Sequence, residues 1–349
     1  MSTSPTVDIG ASSFAEHTTL RVGGSVARWI IARSEEACVE AIVECDDIGG
    51  PVLVVGGGSN IVCSDEPFDG TVVQVANTGV SVTDRGGHLR VVAAAGEPWD
   101  DVVVRTMEAG SAAFAPLSGI PGLIGATPIQ NVGAYGAEVS QFITDVRVWD
   151  RQERAVRQLT DEECSFGYRS SALKSRPDRF VVLEVAFAVP EVESVVVDYR
   201  QLADRLGVAV GEECNGELVR ETVLGLRRSK GMVLDADDRD TWSVGSFFVN
   251  PIVSEDHARN VPGDCPRFPA QRGVKVSAAW LIENSGIPRG FHLPDSGARI
   301  STKHSLAICN ANAATSQDVI ELARYVRDRV RGAFGVELEP EPRMVGCAL

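Results

Sequence analysis

A glycine-rich run that could bind an anion, GGGSN, occupies positions 56–60, directly after the apolar segment 52–55. Glycines leave their backbone N–H groups accessible, and the serine hydroxyl and asparagine amide add donors, so the run suits an oxygen-rich anion such as a pyrophosphate. A tight turn between strands is the alternative interpretation. The run is not a dinucleotide-binding Rossmann fingerprint, because the third glycine is missing and Pro67 and Gly70 leave no room for the required helix.

A second segment of this kind runs from Ser118 to Gly136, inside the uncharged stretch from Ala109 to Ala137. Exposed linkers favour charged residues and lack isoleucine and leucine, so this stretch is better explained as backbone wrapped around a ligand. Two neutral glycine loops in adjacent parts of an acidic chain indicate a phosphate-bearing cofactor that is held by main-chain N–H groups.

The elements that must position these loops begin as an α/β unit and continue as β-rich runs. The segment 18–32 is predicted as a strand or a short hairpin, and the apolar spacing behind Thr315 or Ser316 predicts an amphipathic helix over 318–330. Further strands are predicted at 52–55, 71–75, 80–83, 89–95, 146–149, 180–189, 246–253 and 306–310, and further helices after Ser34 and at 99–108, 217–228 and 277–284.

Composition excludes several classes of protein. The 349 residues are 44% hydrophobic and 23% charged, as in globular proteins, and the net charge of −15 repels nucleic acid and anionic lipid. The eight cysteines form no CxxC pair and have no histidine at ligand spacing, so no metal site or disulfide framework is expected. Residues 1–10 show no secretion signal and prolines interrupt the uncharged stretch, so we expect a cytoplasmic protein without membrane insertion.

Several motifs together resemble one enzyme family. The string SGIPGLIGATPIQNVGAYGAE at 118–138, taken with VVGGGSN at 54–60, resembles the FAD-binding domain of the UDP-N-acetylenolpyruvoylglucosamine reductases, also called UDP-N-acetylmuramate dehydrogenases. Four more motifs follow the family's order and spacing: FGYRSS at 166–171, GSFFVNP at 245–251, AWLIE at 279–283 and LEPE at 338–341. The resemblance extends over about residues 18–346, nearly the whole chain.

The resemblance implies FAD as cofactor, NADPH as reductant and UDP-N-acetylglucosamine enolpyruvate as substrate, which is reduced to UDP-N-acetylmuramate for peptidoglycan synthesis. In the family, hydride passes from NADPH to the flavin and then to the β-carbon of the enolpyruvyl ether. The FAD-binding positions implied in this way are Gly56, Gly57, Gly58, Ser59, Asn60, Ser118, Gly119, Ile120, Pro121, Gly122, Gly125, Ala126, Gln130, Asn131, Gly133, Ala134, Tyr135 and Gly136.

Three catalytic residues are implied by matching positions. Arg169 would stabilise the substrate carboxylate as charge builds up, because a guanidinium offers two planar donors and stays charged. Ser246 would donate the proton, and Glu341 matches the family's catalytic glutamate, for which a raised pKa or a contact with Arg169 is expected. The implied substrate-binding positions are Tyr168, Tyr199, Lys230, Asn250 and His304.

Some positions depart from the family's usual pattern. Val249 stands where lysine is common, and Pro342 replaces the usual valine and stiffens the chain after the catalytic glutamate. His304 stands where some members have glutamine, and a neutral packed histidine is the alternative to a hydrogen-bonding role there. Tyr199 and the segment 191–235 resemble the longer of the family's two structural types, in which a loop closes over the substrate.

The expected fold is an α/β and α+β flavoenzyme of three domains, with a two-part FAD-binding region like that of the vanillyl-alcohol oxidases and a C-terminal substrate-binding domain. The predicted boundaries are 1–69 and 70–230 for the two FAD-binding parts, 231–335 for the substrate domain and 336–349 for a segment that returns to the flavin. A monomer is expected.

Two alternative functions are compatible with parts of this pattern. The first is an oxidase of the same fold class with covalently attached FAD, which is disfavoured because the glycine loops lack a suitable histidine or cysteine. The second is a nucleotide-sugar-binding regulator without catalysis, which would be expected to lack Arg169, Ser246 or Glu341.

Overall fold

The computed structural model describes residues 6–270 and 272–349, and its secondary structure is mixed α and β. The strands are β1 (Thr6–Ser13), β2 (Ser25–Ala32), β3 (Val52–Val55), β4 (Ile61–Cys63), β5 (Phe68–Val75), β6 (Val80–Asp84), β7 (His88–Ala94), β8 (Gly133–Ala134), β9 (Ala137–Glu138), β10 (Ile143–Asp150), β11 (Ala155–Thr160), β12 (Phe180–Pro190), β13 (Ser194–Val196), β14 (Glu213–Asn215), β15 (Ser243–Ser246), β16 (Ile252–Val253), β17 (Arg267–Pro269), β18 (Val274–Val276), β19 (Ala298–Ile300), β20 (Ala307–Asn310) and β21 (Arg343–Val345).

The α-helices are α1 (Phe14–His17), α2 (Glu35–Ile48), α3 (Trp99–Glu108), α4 (Asp161–Cys164), α5 (Ala172–Ser175), α6 (Arg200–Leu206), α7 (Gly216–Ser229), α8 (Glu255–Asn260), α9 (Ala278–Asn284) and α10 (Ser316–Phe334). Short 3-10 turns lie at Ala115–Leu117, Ile124–Ala126, Val139–Gln141 and Arg239–Thr241. Among the described helices, none combines the length and the apolar character that crossing a membrane requires.

The chain forms two compact units, each assembled from separate segments. The described residues of unit 1 are 6–12, 26–57 and 69–233, and those of unit 2 are 13–25, 58–68, 234–270 and 272–349. The GGGSN run is therefore divided, because its first two glycines belong to unit 1 and its last three residues to unit 2.

Unit 1 contains two main sheets and a shared apolar core. One sheet has the order β1-β2-β5-β3, with β3 and β5 parallel, and the other is antiparallel with the order β11-β10-β12-β7-β6. Three buried aromatic rings lie in this core, with centroids 5.1 Å apart for Trp99 and Phe114 and 5.6 Å apart for Phe114 and Phe187. Trp99 Nε1 also donates to Leu117 O at 2.8 Å, so the core ring fixes the entry to the second glycine loop.

A smaller apolar cluster in unit 1 holds the segment after β12. Leu202 and Ala203 of α6 pack with Val219 and Val223 of α7 and with Ala115. Asn215 caps α7, since its side chain accepts from the amides of the first turn. This cluster places α7 beside the second glycine loop.

Unit 2 is built on the sheet β15-β20-β19, with further small sheets β16-β18-β17 and β21-β4. The helix predicted over 318–330 is confirmed and extends to Ser316–Phe334. Thr315 caps it in a reciprocal capping box with Asp318, and the predicted apolar stripe is buried throughout.

Two strand predictions are wrong in part. The segment 18–24 forms no strand, and a side chain at Gly24 would collide with the carbonyl of Asp65, so the backbone approaches too closely for an ordinary hairpin. The predicted strand 246–253 is interrupted after β15, because Phe247 N donates to Leu306 O at 2.7 Å while Val249 N donates to Glu339 O at 3.1 Å. The amides of Phe247 and Val249 therefore bond to two different segments, and the strand does not continue.

Candidate functional site

The two glycine loops meet within unit 1. A β-carbon added at Gly57 would lie 3.7 Å from Gly122 Cα and 3.5 Å from Leu123 Cγ. A β-carbon at Gly56 would also contact Leu123, at 3.4 Å from its Cδ1. The two loops are therefore in contact through Gly56 and Gly57, the part of the first loop that belongs to unit 1.

The second loop is packed against the protein core, which agrees with the prediction that it is not an exposed linker. Ile124 N donates to Glu97 O and Gly125 N to Ala95 O, both at 2.8 Å, which ties the loop to the residues after β7. A β-carbon at Gly125 would lie only 2.7 Å from Ala95 Cβ. Ser118 is fully buried, and its Oγ donates to Ala115 O at 2.8 Å, so this hydroxyl stabilises the start of the loop.

Arg169 lies at the far end of the same loop. Its guanidinium donates to Gly133 O at 2.5 Å and to Asn131 O at 3.2 Å, and its Nη1 lies 4.0 Å from a carboxylate oxygen of Glu138. Asn131 in turn donates from Nδ2 to Glu138 Oε2 at 2.9 Å. The structure thus brings together the predicted catalytic arginine and the glycine loop, and the guanidinium of Arg169 lies 5.4 Å from the ring centroid of Tyr168.

Glu138 completes this arrangement, although it is not among the site residues predicted from the sequence and occurs there only as the last residue of the string 118–138. It is the first charged residue after the uncharged stretch, and its side chain also accepts from a backbone amide in a capping box with Gln141. The isolated charge beside a neutral loop was the available signal.

Three of the predicted ligand-binding side chains cluster at the C-terminal end of α7. The rings of Tyr135 and Tyr199 meet edge to face with centroids 5.5 Å apart, and Lys230 Nζ lies 5.9 Å from the Tyr135 centroid. Lys230 also donates to Gln201 Oε1 at 2.6 Å. Burial lowers the pKa of Lys230 and the nearby Arg227 lowers it further, which means that both disfavour the charged ammonium form. An anionic ligand at this position would stabilise that form.

Ser246 and Glu341 belong to one backbone arrangement in unit 2. Ser246 ends β15 and pairs with Ala307 of β20, while Glu341 N donates to Phe247 O at 2.9 Å. Asn60 is joined to the same arrangement, because its carbonyl accepts from Arg343 N at 3.0 Å. The structure therefore brings together two predicted catalytic residues and one predicted FAD-binding residue.

The other predicted residues of unit 2 have clear positions. Asn250 Oδ1 accepts from Ala278 N at 2.9 Å, so the side chain anchors the start of α9. His304 lies in the turn between β19 and β20, where its amide donates to Ser301 Oγ at 3.3 Å. The backbone of Val249 pairs with the C-terminal segment, independently of its unusual side chain.

Two protein families match this chain, one within the residues that mostly form unit 1 and the other within unit 2. The FAD binding domain family matches residues 26–158, and the C-terminal domain of UDP-N-acetylenolpyruvoylglucosamine reductase matches residues 237–345.

Individual proteins match over almost the entire chain. A UDP-N-acetylenolpyruvoylglucosamine reductase of Cutibacterium acnes is 50% identical over 337 residues, covering 95% of this chain and 89% of that protein. One of Mycobacterium avium is 49% identical over 359 residues, covering 97% and 95%. The crystal structure of such a reductase from Thermus caldophilus, at 23% identity, covers 96% of this chain and 98% of its own with a TM-score of 0.64, and so shares the fold.

Proposed function

This chain belongs to the UDP-N-acetylenolpyruvoylglucosamine reductase family, and from that premise we infer that it is the NADPH-dependent flavoenzyme that reduces UDP-N-acetylglucosamine enolpyruvate to UDP-N-acetylmuramate in peptidoglycan synthesis. It is an oxidoreductase with FAD as its cofactor. The observation that carries this function is the meeting of two neutral glycine loops in unit 1, with a catalytic-type guanidinium bound to one of them.

The residues of unit 1 fit FAD on structural grounds. The loops approach each other at Gly57, where an added β-carbon would lie 3.7 Å from Gly122 Cα, and neither loop contains a charged residue. Main-chain N–H groups of such loops can hold the pyrophosphate without lysine or arginine. When bound, FAD would supply an acceptor for the hydride of NADPH and a donor of hydride to the enolpyruvyl double bond. The proposed FAD-binding residues in unit 1 are Gly56, Gly57, Ser118 to Gly122, Gly125, Ala126, Gln130, Asn131 and Gly133 to Gly136, and the family resemblance adds Gly58, Ser59 and Asn60.

Arg169 is proposed to stabilise the carboxylate end of the substrate. Negative charge builds up there when hydride reaches the β-carbon, and a guanidinium stabilises it through planar, charged donors. The loop carbonyls of Asn131 and Gly133 hold this guanidinium in place in unit 1.

Ser246 is proposed to donate the proton to the α-carbon of the enolpyruvyl group. A serine hydroxyl is a weak acid, but an enolate carbon is basic enough to take its proton when neighbouring groups poise it. Glu341 is the third proposed catalytic residue. It must be protonated or balanced by a cation, because a bare carboxylate would repel the developing enolate.

The sugar nucleotide is proposed to bind through Lys230 at its phosphates, with Tyr168, Tyr199, Asn250 and His304 contributing to recognition of the substrate. Lys230 is partly buried and donates to the neutral amide oxygen of Gln201, so in the described part of the chain no protein carboxylate competes there with a phosphate group. We also propose that residues 1–69 and 70–230 form the two FAD-binding parts, that 231–335 form the substrate domain, and that 336–349 return to the flavin. The protein is proposed to be a cytoplasmic monomer.

The absorption spectrum of the purified protein tests the proposed function. We expect a yellow protein whose flavin absorbance is bleached by NADPH and restored by UDP-N-acetylglucosamine enolpyruvate. A colourless preparation that cannot be reconstituted with FAD would contradict the proposal, and so would a flavin that NADPH reduces but the enolpyruvyl sugar nucleotide fails to reoxidise.

A further inference from the structure

The Gly119 peptide of the second glycine loop is held on both sides by charged side chains. Its N–H donates to Asp100 Oδ1 at 2.7 Å, and its carbonyl accepts from Arg227 Nε at 2.9 Å. The residue has φ of +67°, and a β-carbon there would lie 2.6 Å from Leu224 Cδ2 of α7. The loop is therefore fixed at this point by α3 and α7 together.

Asp100 connects the loop amide to α7 through Arg220. The two side chains form a bidentate ion pair with both N–O distances at 2.7 Å. Burial alone would raise the pKa of Asp100, but hydrogen bonds from Arg220 and Gly119 outweigh it and hold the pKa below its ordinary value. One carboxylate thus serves the glycine loop and the helix at the same time, and planar bidentate pairing gives the link a defined geometry.

Helix α7 extends from this link to the proposed phosphate-binding position. Arg220, Leu224 and Arg227 follow helical spacing and contact Asp100 or the loop, while Lys230 forms the C-cap of the same helix. Arg227 is buried and also donates to Met232 O at 3.0 Å. A displacement of the C-terminal end of α7 would therefore change the contacts that Arg227 and Leu224 make with Gly119.

We propose that Asp100 is a positioning residue that couples occupancy of the phosphate position at Lys230 to the flavin loop at Gly119, through Arg220 and α7. The inference rests on the proposed function, because it takes Lys230 as a phosphate ligand and Gly119 as part of the FAD-binding loop. A phosphate bound at Lys230 restrains the end of α7, and the Asp100–Arg220 pair passes that restraint to the Gly119 amide. Binding of the two ligands then becomes mutually favourable, and by linkage each raises the affinity of the other by the same factor.

The test measures FAD release from the holoenzyme on serial dilution, with and without UDP as the probe, by the rise in flavin fluorescence. We expect UDP to lower the Kd for FAD about fivefold or more in the wild-type protein. Arg220→Gln keeps the carboxylate on Gly119 but removes its link to α7, so the effect of UDP should fall below about twofold. Asp100→Asn should do the same and also release FAD more readily, and Arg220→Lys should restore part of the UDP effect.

Asp101→Asn is the matched control, because it removes the same charge from the first turn of α3 at an exposed position. It should keep the wild-type effect of UDP. Thermal unfolding and circular dichroism identify any variant that fails to fold, and the two substitutions at Arg220 then carry the test alone.

Two results would overturn the inference while leaving the proposed function intact. One is a folded Arg220→Gln protein that keeps the wild-type effect of UDP on FAD release. The other is a wild-type holoenzyme whose FAD affinity is insensitive to UDP although NADPH still reduces its flavin. A protein that binds no FAD would overturn the proposed function and this inference with it.

Discussion

Glu341 N donates to the carbonyl oxygen of Phe247 at 2.9 Å, and Phe247 directly follows Ser246 in the chain. The two residues are 94 positions apart (341 − 247) in the sequence, and an isolated β-bridge between Phe248 and Pro340 supports the same alignment. A change in the C-terminal segment is therefore transmitted directly to the backbone that carries Ser246.

Ser246→Ala should separate the two half-reactions. Reduction of the flavin by NADPH needs no proton from this hydroxyl and should keep its rate, while reoxidation by the enolpyruvyl substrate should slow by about 10²- to 10⁴-fold. Stopped-flow absorbance of the flavin measures both steps. The exposed Ser175→Ala serves as control, and equal slowing of both steps by Ser246→Ala would remove the serine from the role of proton donor.

Arg169→Lys should impair the same second step. Lysine keeps the charge but loses the planar pair of donors that reach the carbonyls of Asn131 and Gly133, so the guanidinium position cannot be reproduced. We expect kcat to fall about 10²- to 10³-fold, as when one donor to a developing oxyanion is removed. Arg154→Lys, in an exposed pair with Asp47, should leave kcat unchanged. A similar kcat for Arg169→Lys and wild type would contradict the assignment.

Gly125→Ala should destabilise the protein and weaken FAD retention. Its new methyl would lie 2.7 Å from Ala95 Cβ, and such overpacking costs about 1–3 kcal/mol of unfolding free energy. Gly332→Ala is the control with the opposite sign, because it lies within α10 with no atom within 4 Å of an added β-carbon. It should stabilise by about 0.5–1 kcal/mol. Denaturant unfolding followed by circular dichroism compares the two variants.

Asp150 should make stability fall on the acid side. Burial opposes its ionisation, but hydrogen bonds from Arg179, the Glu153 amide and Arg157 outweigh it and lower the pKa from 3.8 to about 2. A folded-state pKa below the unfolded one gives stability that is present above about pH 4 and is lost as the pH falls towards about 2.

Asp150→Asn and Arg179→Gln should both reduce stability at pH 7 and flatten its dependence on pH between about 4 and 2. Urea midpoints measured across that range provide the test. An unchanged slope in the asparagine variant would show that other carboxylates control acid unfolding.

Local sequence patterns predicted the elements that depend on local physics. The bounds of β3 and α3 and the caps at Ser34 and Thr315 follow from apolar spacing and from short polar side chains that accept backbone N–H groups. The composition of the uncharged stretch also indicated that it is not an exposed linker, and Ser118, Ile124 and Asn131 within it are buried. These features require no knowledge of distant contacts.

Features that depend on distant contacts could not be predicted in this way. Asp100 and Arg220 are 120 positions apart, and nothing in either local pattern indicates that they pair. The interruption of the predicted strand 246–253 likewise depends on distant acceptors, because Phe247 N donates to Leu306 O and Val249 N donates to Glu339 O. The roles proposed for Ser246, Arg169 and Glu341 rest on the family resemblance, because no local pattern around these residues indicates catalysis.

The pairing of β4 with β21 affects how the chain folds while it is being synthesised on the ribosome. β4 is fully buried, and in the described structure its sheet partner is β21, about 280 positions further along the chain. While the polypeptide is being translated, β4 must wait unpaired until residue 345 has been added, and an unpaired apolar edge invites association with other chains. Chains cut short by ribosome stalling near their end should therefore be prone to aggregation as well as inactive.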